Sequence, residues 1–105
     1  EAAFQPIIDL ARRDNIFLKL SDVAGRSNED FPYVDMHSYL RKLLGAFGAE
    51  RTVWGTGYPG HHRVKHNWPT LDRELALIRE GLPFLSMAES EQILGGTAAL
   101  IWDLD

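Results

Sequence analysis

Two short β runs, Ile16 to Leu20 (IFLKL) and Thr52 to Trp54 (TVW), constrain this chain more than any other feature, because a long amphipathic segment separates them. Between the runs, Tyr33 to Phe47 repeats apolar residues at three- and four-residue steps (Val34, Met36, Tyr39, Leu40, Leu43, Leu44, Phe47) and ends at Gly48, the pattern of a helix with a glycine C-terminal cap. A connection of that length containing a helix is a crossover, so the two strands are expected to lie parallel rather than as a hairpin. The first run is apolar almost throughout, which predicts a strand covered on both faces. Its one exception, Lys19, is expected at an end or edge where its amine reaches water.

The second run continues as GTGYPG. Gly55, Gly57 and Gly60 leave the backbone free to adopt positive φ and allow close approach, as at a strand that delivers its end to a ligand pocket; a plain tight turn is the competing reading. Any chemistry is thereby placed near residues 56 to 62. The loop after the first strand, SDVAGRSNEDFP, begins with Ser21 and Asp22 at the strand's carboxyl end and is long enough for a pocket wall, although each residue taken singly is a common capping or turn residue. His61, His62 and His66 follow in HHRVKHNWPT, which reads as a loop. Without a helical framework or a nearby carboxylate, this trio does not form a recognised metal-ligand set. His37, early in the second helix, is expected at the surface.

Helices flank these strands. Ala2 to Arg13 places Phe4, Ile7, Ile8, Leu10 and Ala11 on one side, with Pro6 near the start. Thr70 is a candidate N-cap for a helix running to Gly81, and Ser86 with Glu89 forms a capping-box pattern, with Met87, Ile93 and Leu94 expected to face inward. Gly95-Gly96 is expected to interrupt that helix before Thr97 to Leu104 resumes, with Leu100, Ile101 and Leu104 apolar and Trp102 as an anchor. The expected class is α/β, two parallel strands with four or five helices in a single partial domain, residues 1–105.

Composition narrows the function. A net charge of −4 with scattered basic residues argues against nucleic acid, no apolar run is long enough to span a membrane, and the start lacks a signal-peptide pattern. The absence of cysteine rules out a disulfide and fits a cytoplasmic location. Two parallel strands alone leave both sheet edges and much apolar surface uncovered, so the chain is expected to need further strands or a second copy of itself. The opening at Glu1, already inside a helical pattern, fits a piece of a longer polypeptide.

Taken together, IFLKLS, LLGAFGAER, TVWGTGYP and ILGGTAALIWDL resemble, in this order, the closing part of the amidohydrolase-2 branch of the amidohydrolase superfamily, metal-dependent hydrolases and decarboxylases on a (β/α)8 barrel. The resemblance implies that Phe17 to Leu20 is barrel strand seven, Thr52 to Thr56 strand eight and Ala2 to Arg13 the helix after strand six, with the site at the strands' carboxyl ends. It implies a small carboxylated, lactone or amide substrate met by Ser21, Asp22, Thr56, Tyr58, His61 and His62, with Lys19, Arg63 and Lys65 supplying charge complementarity. It also implies a divalent metal such as zinc in the full-length protein, though none from this chain alone, since the usual histidine ligands on strands one, five and six have no counterpart here. One departure stands out. The family's aspartate after strand eight, a metal ligand or water-activating base, is Gly57 here, which favours a non-catalytic barrel that binds a small molecule or partner. Thr97 for the family's frequent asparagine is a packing change. A free-standing α/β protein that dimerises through its strand edges is the third reading.

Overall fold

In the computed structural model the described residues are 4–104, without the side chains of His62 and Arg63. The elements run α1 (Gln5–Leu10), β1 (Leu18–Ser21), α2 (His37–Phe47), β2 (Thr52–Gly55), α3 (His61–Lys65), α4 (Leu71–Ala76), α5 (Met87–Glu91) and α6 (Thr97–Ile101). The expected start of the first helix at Ala2 lies outside the described residues. β1 and β2 pair in parallel, Leu18 opposite Thr52 and Ser21 opposite Gly55, so the crossover expected from the chain order is present.

Helix α2 supplies the crossover. Leu40, Leu43, Leu44 and Phe47 recur on one side and are buried, each contributing roughly 1.5–3 kcal/mol by removal from water. Its entry is tighter than the periodicity implies. Tyr33 has a positive φ, and residues Val34–Met36 form a 3-10 turn before the α-helix begins. Gly48 ends the helix at φ 79°, donating its N–H to the Leu44 carbonyl, a backbone angle that an L side chain would strain. Leu20, Leu40, Leu44, Leu77, Ile78, Leu82 and Ile93 form the centre of one core, with Leu18 and Trp54 packed against it.

The two faces of the sheet are unequally covered: on the face of Lys19 its partner Val53 is buried, at 8% exposure, while the β1 residues are not. Side chains alternate along a strand, so Leu18 and Leu20 enter the core while Phe17, at 45% exposure, and Lys19 lie open on the other side. The expectation that β1 is sheltered on both faces is therefore not met. α1 packs on α2 and has no buried residue, its Ile7 and Leu10 exposed. Leu100, Ile101, Trp102 and Leu104 are also open where an apolar side and a tryptophan anchor were expected.

The carboxyl-terminal helices form two rods with wide turns. α4 runs straight into a π-helical turn, Leu77–Gly81, as the Thr70-to-Gly81 reading requires. Thr70 has the extended N-cap backbone, but its carbonyl rather than its hydroxyl meets the helix N–H groups. In the second rod the Ser86–Glu89 capping box is complete in both directions, with N···O distances of 3.1 and 2.9 Å. α5, a π-helical turn at Gln92–Gly96 and α6 then follow without a break. Gly95-Gly96 does not interrupt the rod, since Gly96 keeps helical angles (φ −59°, ψ −46°) and the wide turn absorbs both glycines. Ile93 faces inward as expected, whereas Met87, in the first turn of α5, is 81% exposed. Two buried hydroxyls tie the rods to the rest, Ser90 donating to the Ile78 carbonyl and Thr97 to the Ala49 carbonyl. Among the described residues no helix is long and apolar enough to cross a membrane.

Candidate functional site

Parallel pairing brings the carboxyl ends of β1 and β2 side by side, and the two exit loops are joined there. Asp22, one residue beyond β1, has φ 56°, a left-handed backbone that aspartate tolerates better than most residues. Its Oδ1 accepts the Gly57 N–H at 3.0 Å and the Thr56 hydroxyl at 3.4 Å. The same Thr56 oxygen accepts the Tyr58 N–H at 3.1 Å. Of the residues expected here, Asp22, Thr56, Gly57 and Tyr58 thus form one hydrogen-bonded group. Ser21 closes β1 opposite Gly55.

The glycines of GTGYPG have a different cause from the one expected. Gly48 is the positive-φ glycine among the described residues. Space sets the requirement at Gly60, where the neighbour is backbone, whereas at Gly55 and Gly57 it is the end of a side chain that can move. A β-carbon on Gly55 would lie 2.3 Å from Lys19 Cε, one on Gly57 3.0 Å from Asp22 Oδ2, and one on Gly60 2.5 Å from the Gly57 carbonyl oxygen. The first contact shows the Lys19 side chain running along the sheet face from its partner Val53 toward Gly55, so its amine is carried toward the strand ends.

The segment read as a histidine loop contains a helix, α3, too short and too polar to announce itself by periodicity. His61 and Lys65 are exposed on it. His66 turns to Trp68, ring centroids 6.5 Å apart, instead of joining Asp22. The side chains of His62 and Arg63 lie outside the described residues. His37, expected at the surface, is half-buried: its Nε2 lies 2.7 Å from the Pro32 carbonyl oxygen and its ring is edge-on to Phe84.

Gly57 has no donor side chain, one Asp22 oxygen is engaged by the neighbouring loop, and among the described residues no three His, Asp or Glu side chains converge enough to hold an ion.

Beside the strand ends, a cavity of about 750 Å³ opens between the loop after β1 and the loop leading into α4, lined among others by Ser27, Tyr33, His66, Trp68 and Arg73. Nothing in the sequence assembled it, because its walls come from residues about 40 positions apart with no shared motif. Burial raises the Tyr33 phenol above its ordinary value, Arg73 opposes this, and Glu74 and Asp30 add to it. The cavity's outer loop is pinned by Asp35, which accepts from the Ser27 hydroxyl and, at 2.9 Å, from the Asn28 N–H.

Those two bonds, the Ser27 hydroxyl first, hold the Asp35 carboxyl below the usual aspartate range. The carboxylate's contribution is therefore complete above the ordinary aspartate pKa and disappears as the pH falls through the lower folded value. Acidification is expected to release Asn28, read as faster amide exchange after correction for intrinsic rate. Asp35→Asn should give fast exchange at neutral pH and remove the acid-dependent step.

Comparison with known proteins gives a consistent answer. A family model described as amidohydrolase matches residues 2–104. D-galactarolactone isomerase of Agrobacterium fabrum (strain C58 / ATCC 33970) is 34% identical over 59 residues, which are 56% of this chain and 20% of the isomerase. The match thus spans about a fifth of that relative's length. No solved structure matches.

Proposed function

The chain belongs to the amidohydrolase family, and from that premise we propose that it forms the seventh and eighth strands, with their helices, of a (β/α)8 barrel acting on a small carboxylated lactone. The joined strand ends carry this reading. Parallel strands, a β1 face left open at Phe17 and Lys19 and exit loops hydrogen-bonded at the carboxyl end are what two adjacent staves of such a barrel supply. Ser21, Asp22, Thr56, Tyr58, His61 and His62 are the proposed substrate contacts. Lys19, directed along the inner face toward the strand ends, is the proposed partner of a substrate carboxylate, and Arg63 and Lys65 add positive charge at the rim.

The lactone is favoured over other substrates of the class by the isomerase relative, whose name specifies a galactarolactone. A divalent ion, zinc or similar, belongs to this proposal only as a component held by the rest of the barrel. Gly57 favours a second reading, a barrel that binds such a molecule without converting it.

Incubating the whole polypeptide with D-galactarolactone and following the ring by NMR separates these readings. Ring opening or migration is expected for the whole polypeptide and none for residues 1–105 alone. Binding without conversion supports the second reading, and turnover by the 105-residue chain contradicts the division of labour proposed here.

A further inference from the structure

Tyr33 is 5% exposed and lines the cavity between the loop after β1 and the loop into α4. Its ring packs edge-on to Phe31, centroids 5.7 Å apart, and Phe31 in turn carries the Arg73 guanidinium at 5.2 Å, so one aromatic ring brings the phenol and the cation to the same wall. Among the described residues neither the Tyr33 hydroxyl nor the Arg73 guanidinium has a hydrogen-bond partner, and the Tyr33 oxygen is not sealed from solvent. Packing alone would be served as well by phenylalanine. Burial holds the phenol above its ordinary pKa, so at neutral pH it keeps its proton and donates. Two donors side by side, one of them on a buried residue, suit an oxyanion that accepts from both.

We propose that this cavity is a binding site for a hydroxylated monocarboxylate, an open-chain sugar acid, whose carboxylate accepts from the Tyr33 hydroxyl and the Arg73 guanidinium. The rest of the lining sets the class. Asn67 and Thr70 supply an amide and a hydroxyl, and Glu29 and Asp30 supply acceptors. Hydroxyl groups both give and take hydrogen bonds, so a chain of them uses this mixture fully, whereas an ammonium could take nothing from the Asn67 amide. A second carboxylate would face Glu29 and Asp30, which favours a ligand with one acid group. At about 750 Å³ the cavity has room for a sugar-sized chain. The site shares no residue with the strand-end contacts and does not depend on the lactone reading.

Isothermal titration of the whole polypeptide with D-galactonate tests this. Millimolar or tighter binding is expected, weakened at least about tenfold by Tyr33→Phe, which keeps the ring and removes the donor, and at least about fivefold by Arg73→Gln. Hexanoate, without the hydroxyls, and galactitol, without the carboxylate, should each bind at least about fivefold more weakly than galactonate. Lys19→Met, at the strand ends, should leave the affinity within about twofold. Parental affinity in both Tyr33→Phe and Arg73→Gln overturns the proposal and leaves Tyr33 a core residue whose tip reaches water. Loss of binding in Lys19→Met alone, equal binding of hexanoate or galactitol, or no binding of galactonate at about 10 mM overturns it as well. Should Tyr33→Phe fail to fold, the exposed Arg73 carries the test. Partial recovery by Arg73→Lys, which keeps the charge but not the paired N–H groups, supports the site, and parental affinity in Arg73→Gln overturns it.

Discussion

Replacing Arg51 with alanine is expected to destabilise the whole polypeptide by about 3 kcal/mol, several times the effect of an ordinary surface substitution. The guanidinium donates to the carbonyls of Ala11 (2.9 Å), Arg13 (2.8 Å), Ala46 (3.3 Å) and Phe47 (3.1 Å), with a longer contact to Ile16 (3.5 Å), and lies over the Phe47 ring at 5.4 Å. These acceptors are the frayed end of α1, the approach to β1 and the last turn of α2. Arg51 thus satisfies the carbonyls that helix ends leave without partners and fixes where both strands begin. Each charge-assisted bond contributes more than a neutral one, but the arginine is only half-buried, so the sum is discounted for the water that replaces it. Arg51→Lys is expected to recover less than half the loss, since a compact ammonium cannot span carbonyls on both sides. Urea unfolding of the whole polypeptide checks this, and a loss under about 1 kcal/mol for Arg51→Ala would remove the clamp from the account.

Leu77→Ala is expected to cost still more, about 3–4 kcal/mol, as a large-to-small change in a site that cannot collapse. Leu77 is 1% exposed at the first position of the π-helical turn. Its Cδ1 fills the space over Gly81, where an added β-carbon would meet it at 3.1 Å and the Phe31 ring at 3.3 Å. The Phe31 ring also carries the Arg73 guanidinium at 5.2 Å, so the cavity beside the site is expected to loosen along with the core. Val64→Ala, at an 80% exposed position on α3, is the matched control and should change stability by less than about 0.5 kcal/mol. Equal effects for the two would mean that the cluster around Leu77 is not the core.

What could be read from the residues depended on whether the partner was local. Strand pairing, the α2 face, Gly48 and the Ser86–Glu89 box each rest on spacing within one element or on the length between two, and all are present. Arg51 was legible only as part of a motif. Its partners are main-chain carbonyls, which every residue supplies, and those of Ala11 and Arg13 lie 40 and 38 positions away. The Asp22–Gly57 contact was hidden in the same way, since its donor is a main-chain N–H that gives no sign of which carboxylate takes it. Periodicity marked Leu100, Ile101 and Leu104 as one apolar side, and that pattern is real. It cannot say whether the surface that covers it is in the same chain, and here it is open.

The open face of β1 and that apolar side are the basis for proposing that these strands belong to a barrel, and sedimentation velocity of the 105-residue chain alone, paired with near-UV circular dichroism, tests the proposal most directly. The account predicts a polydisperse or expanded species with weak tertiary signal, because Phe17, Leu100 and Trp102 leave large apolar surface exposed. A single sharp boundary, monomer or dimer, with a native near-UV spectrum would contradict it.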